Sequence, residues 1–125
     1  MASQPTLPIP VTAGRRRDLG MSDRERDAVS ARVQNEGLCL MGLRFSEDSA
    51  SPTDRFRSLR AAFGDGWLPV ALNSRPGNAA GIGSNEHMVL TSKDADTPGH
   101  PTNEARAQVT AFLRERLGVK AAAEG

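Results

Sequence analysis

The chain has 125 residues, with 16 basic and 15 acidic side chains and a net charge of +1 at pH 7. That length fits one domain, and the balanced charge gives no global field to draw in nucleic acid or an anionic membrane. Aromatics make up 4% and tyrosine is absent, so a core must rest on Leu, Val and Ala, with Phe45, Phe56, Phe63, Trp67 and Phe112 as its large pieces.

One cysteine excludes an internal disulfide and fits a reducing compartment. The longest apolar run falls far short of the ~18 residues of a membrane helix. Met1 to Pro10 lacks the charged and apolar regions of a secretory signal. The expectation is a cytoplasmic protein with no membrane and no nucleic-acid partner.

Residues 1–21 are expected to be an irregular N-terminal segment, because Pro5, Pro8 and Pro10 fix φ and remove donors. The Arg15-Arg16-Arg17 run, followed by Asp18, reads as a solvated loop. Ser22-x-x-Glu25 is a capping-box pattern and predicts a helix from about Asp23 to Val33. Its apolar side is thin, at Val29 and Val33, so the helix should be peripheral.

Gly37 to Phe45 is the clearest strand. Nearly every position is apolar, the pattern of a central strand in a parallel sheet covered on both faces. Ser51-Pro52 is expected to supply an N-cap and an N1 proline. Phe56, Leu59 and Phe63 follow at helical spacing, and Gly64 ends that helix. Trp67 to Leu72 reads as a second strand, with Pro69 arguing for an edge.

Residues 73–86 hold glycines, Pro76 and three asparagines and read as loop. His87 to Thr91 is a short apolar patch, a turn of helix or a short strand. A second loop runs to Thr102. Ala105, Val109, Phe112, Leu113 and Leu117 form one stripe of a final helix ended by Gly118. Residues 119–125 read as a frayed tail.

Strand, helix, strand, helix defines an α/β chain, a βαβα unit. Two strands alone make a marginal sheet. A strand apolar on both faces therefore implies missing neighbours, from another chain or from a longer parent.

Asp48 lies just past the C-terminal end of the apolar strand, where catalytic groups of open α/β sheets gather. His87 follows at the far end of the glycine-rich loop. A carboxylate there can orient an imidazole and fix its tautomer, and histidine is the usual general base. The bland alternative is a polar loop aspartate at a helix N-terminus and a surface histidine. Glu47 and Asp54 compete for the acid role, Asp54 better read as a first-turn helix charge. His100 reads as a structural residue of the last helix entry.

Two lone histidines without Cys, His or Asp at ligand spacing argue against a metal site. The glycines of residues 77–83 make neither a P-loop nor a dinucleotide fingerprint, and no cofactor is expected. Cys39 half matches a G-x-C-x-G elbow but lies inside the strand, where it reads as a buried core thiol. Ser84 lacks a strand-to-helix turn.

Together these residues resemble the C-terminal part of the dienelactone hydrolase family. The resemblance is carried by Gly42-Leu43-Arg44-Phe45 with Asp48, Pro52-x-x-Arg55-Phe56, and Leu59-Arg60-x-x-Phe63-Gly64-Asp65. His87-Met88-Val89-Leu90-Thr91 resembles the segment around the family's histidine. Gly99-His100-Pro101-Thr102 resembles its last helix entry, and Gln4-Pro5-x-Leu7-Pro8 with Arg17-Asp18-Leu19-Gly20-x-Ser22 the stretch leading out of the family's preceding strand. No single motif is specific; order and spacing carry it from about Ser3 to Leu117.

The resemblance implies an α/β-hydrolase-like unit over residues 22–118 and a hydrolase of small esters or lactones, with Asp48 as acid and His87 as base. A Cys or Ser nucleophile in a G-x-C-x-G or G-x-S-x-G elbow is missing, and an acid and base alone form no acyl-enzyme. The expectation is a truncated or split hydrolase, inactive alone. A partner chain would then supply the rest of the sheet. The rivals are a non-enzymatic interaction module and a small enzyme using Cys39.

Overall fold

A computed structural model describes residues 12–119. The described residues form a mixed α/β unit with four helices and a two-stranded parallel sheet. In order these are α1 (Ala13–Arg17), α2 (Asp23–Glu36), β1 (Leu40–Phe45), α3 (Thr53–Phe63), β2 (Trp67–Leu72) and α4 (Pro101–Leu117), with a 3-10 turn at Gly64–Gly66. Gln4 to Pro8 and the expected tail beyond Val119 lie outside the described residues.

The N-terminal segment is not irregular throughout. The Thr12 side chain caps Arg15 N–H and starts the single helical turn of α1. The arginine run is exposed, as expected, but helical. Arg16 pairs with Asp54 of α3 at 3.3 Å, and the Arg15 carbonyl accepts from Arg55.

The capping box of α2 forms reciprocally. Ser22 Oγ accepts from Glu25 N–H, and the Glu25 carboxylate accepts from Ser22 N–H at 2.8 Å. No residue of α2 is fully buried, while Val29 and Val33 touch the core, which makes the helix peripheral.

β1 starts at Leu40, three residues later than the sequence pattern suggests. The reason is Gly37, which sits at φ 67° as the left-handed cap of α2; the chain must leave the helix before it can extend. β1 and β2 pair in register from Leu40↔Trp67 to Phe45↔Leu72. α3 begins at Thr53, with Pro52 rather than Ser51 as N-cap. The Ser51 hydroxyl is buried and caps no helix N–H.

Met41 to Phe45 are all buried although β2 is the one strand paired with β1 among the described residues. This corrects the inference that a two-stranded sheet cannot bury such a strand. On one face Met41, Leu43 and Phe45 pack with Ile82, Val89, Ala105 and Val109. On the other, Phe56, Leu59, Phe63 and Trp67 form a second cluster with Leu40 packed against it. Trp67 meets Phe56 edge to face at 5.1 Å. Gly42 leaves room for the Trp67 indole, since a methyl there would overlap the ring.

No helix or strand occurs between residues 73 and 100, so His87 to Thr91 is neither. The segment is held instead by two core anchors, Ile82 and the fully buried Val89. On α4 the expected stripe buries only its first half. Ala105 and Val109 are buried, whereas Leu113 and Leu117 are exposed.

Candidate functional site

Asp48 and His87, 39 residues apart in sequence, meet in the fold: Asp48 Oδ2 lies 2.7 Å from His87 Nδ1. Both leave the same core cluster. Asp48 stands three residues past Phe45, at the carboxyl end of β1. His87 stands two residues before Val89, in the same cluster.

The Asp48 carboxylate is held by backbone donors on one oxygen. Its Oδ1 accepts from Ala50 N–H at 2.9 Å and from Ser51 N–H at 3.3 Å, which leaves Oδ2 for the imidazole. The Asp48 side chain is 4% exposed and that of His87 39%. The carboxylate is therefore sheltered and the ring edge reaches solvent. An ionised carboxylate only accepts, so Nδ1 is the nitrogen that carries a proton towards Asp48, and in the neutral ring Nε2 keeps its lone pair. Among the described residues no hydrogen bond reaches His87 Nε2.

The loop carrying Asp48 is fastened at several points. Ser46 N–H extends the parallel ladder to the Leu72 carbonyl at 2.8 Å. Ser74 N–H donates to Ser46 Oγ, and Ser74 Oγ accepts from Glu47 N–H, both at 3.0 Å. Arg44 spans the loop, with Nε donating to the Ser51 carbonyl and Nη2 to that of Ser46. Burial pulls the Arg44 guanidinium below its usual pKa, while the charges of Asp48 and Glu47 pull it back up.

The turn from Arg75 to Ile82, upstream of His87, is closed by Asn78. Its Oδ1 accepts from Ile82 N–H at 3.0 Å, and its Nδ2 donates to the carbonyls of Ile82 and Arg75. That closure sets Ile82 into the core.

The competing residues are placed elsewhere. Glu47 pairs with Arg75 at 3.6 Å. Asp54 sits in the first turn of α3, paired with Arg16 and Arg57. His100 is the N-cap of α4: Nδ1 accepts from Thr102 N–H, and Nε2 lies 3.3 Å from the Ala80 carbonyl. It takes the structural place the sequence gives it.

Cys39 precedes β1 and is half-buried rather than a core thiol. It lies at the opposite end of β1 from Asp48, about 20 Å away at ~3.3 Å per strand residue. Ser84 lines the same open concavity as His87, of about 580 Å³, along with Met88, Thr91, Ser92 and Lys93. Sequence reasoning missed Arg44, Ser46, Ser74 and Asn78. Of these only Arg44, a charge inside an apolar strand, carried a visible signal.

Among the described residues no group of three or more His, Cys, Asp or Glu side chains is set to hold a metal ion. No described helix is long and apolar enough to cross a membrane. No family model, curated protein or solved structure matches this chain.

Proposed function

We propose that Asp48 and His87 are the acid and base of an acyl-transfer hydrolase acting on small esters or lactones, in an α/β-hydrolase-like unit similar to the dienelactone hydrolase family. The observation that carries this is the 2.7 Å contact between Asp48 Oδ2 and His87 Nδ1, with Nε2 free among the described residues. His87 Nε2 takes the proton of an attacking hydroxyl or thiol, and Asp48 stabilises the imidazolium. The same proton then passes to the leaving alkoxide. In the second half-reaction His87 activates water against the acyl group.

The nucleophile in this reading is brought to Nε2 by a further segment that completes the unit, such as a partner chain. A second reading makes Ser84 the nucleophile, because it shares the concavity of His87.

An added small thiol can stand in for the nucleophile. The purified chain should accelerate thiolysis of p-nitrophenyl acetate, and both Asp48→Asn and His87→Ala should abolish the acceleration. Equal acceleration by His87→Ala would contradict the proposal. Hydrolysis without added thiol that is lost in Ser84→Ala would favour the second reading.

A further inference from the structure

Arg44 is a charged residue in the middle of an apolar strand, 5% exposed. It faces the α3 side of the sheet, with its guanidinium 5.7 Å from the Phe56 ring centroid. Its Nε donates to the Ser51 carbonyl at 2.6 Å and its Nη2 to the Ser46 carbonyl at 2.9 Å. Among the described residues it makes no ion pair. The charges of Asp48 and Glu47 offset its burial only in part; burying a cation without a direct ion pair is costly, and an apolar side chain would fill the same space without that cost.

What the guanidinium supplies is geometry. Its rigid planar fork reaches two acceptors at once. The two acceptors are the ends of the loop 46–51, and Asp48 lies between them. One end also carries the ladder bond of Ser46. The other carries the Ser51 N–H that Asp48 accepts.

We infer that Arg44 is the positioning residue of the Asp48–His87 pair: its fork fixes both ends of the loop and so sets the Asp48 carboxylate at His87 Nδ1. Arg44 touches neither the imidazole nor any reacting atom, and it acts through Asp48. The inference goes beyond the proposed hydrolysis, because it concerns the pair whatever chemistry the pair serves.

The test uses the full chain with Arg44→Lys and Arg44→Met, read by long-range ¹H–¹⁵N spectra of the histidines. Lys keeps the charge but has no planar fork; Met keeps much of the stem. In folded variants the share of His87 carrying its proton on Nδ1 should fall severalfold, more in Met than in Lys. His100, held by Thr102 and Ala80, should stay unchanged and reports any general loosening. An unchanged His87 in folded Arg44→Met, or equal changes at both histidines, would overturn the inference. Should neither variant fold, the wild-type chain decides. Solvent exchange of the Arg44 Nε–H slowed far below that of exposed arginines supports the inference, and fast exchange overturns it. None of these readouts depends on ester turnover.

Discussion

Ser74 and Ser46 tie the two strand ends together: Ser74 N–H donates to Ser46 Oγ at 3.0 Å, while Ser74 Oγ takes Glu47 N–H. Ser74 is fully buried. Ser74→Ala removes the acceptor of the Glu47 N–H beside the Asp48 turn, a part-buried hydrogen bond worth about 0.5–1.5 kcal/mol. Urea unfolding should show this loss, and Ser74→Thr, which keeps the hydroxyl, should recover part of it.

Gly42 and Trp67 share one space on the α3 side of the sheet. Gly42→Ala drives a methyl into the indole, and overpacking of this kind costs about 1–3 kcal/mol. Trp67→Phe removes the outer indole ring and opens room above Gly42. The double variant should therefore be more stable than the sum of the two single losses allows. Additive losses in chemical unfolding would show that the two positions do not compete for the space.

His100→Ala removes the side-chain cap of α4 and the tie to Ala80. The expected loss is about 1–2 kcal/mol in a thermal or urea melt. The His87 signals should be unaffected, since His100 takes no part in the pair.

Ser22 holds the Glu25 carboxylate below its ordinary pKa through backbone and side-chain hydrogen bonds. A depressed folded pKa contributes stability above the unfolded value, and that contribution is lost as pH falls through the folded value. Helix α2 should therefore weaken on acidification below about pH 4.5. Circular dichroism across that range should show a flatter acid limb in Glu25→Gln, which has no such proton to take up.

Much of this architecture can be read from the residues alone. Ser22 and Glu25 announce the start of α2, and Trp67 to Leu72 matches β2 end to end. Local signals suffice there, because capping and strand pattern depend on neighbours in sequence. Asp48 and His87 can be singled out, and the resemblance pairs them as acid and base, but no local pattern encodes their contact, which depends on Ile82 and Val89 entering the same cluster as Phe45. The Asn78 side chain fixes Ile82 in a loop without helix or strand, and no periodicity encodes that placement. The burial of β1 fails to follow from strand count for a similar reason. Ile82, Val89 and the first half of α4 cover one face, and Trp67 folds over Gly42 on the other.

The most direct measurement is a long-range ¹H–¹⁵N spectrum of His87 in the full chain, compared with Asp48→Asn. The expected result is a proton on Nδ1 and an unprotonated Nε2 in the wild type, with the tautomer redistributed in Asp48→Asn. The claim would be contradicted by a neutral wild-type ring whose proton resides on Nε2, or by a His87 spectrum that Asp48→Asn leaves unchanged.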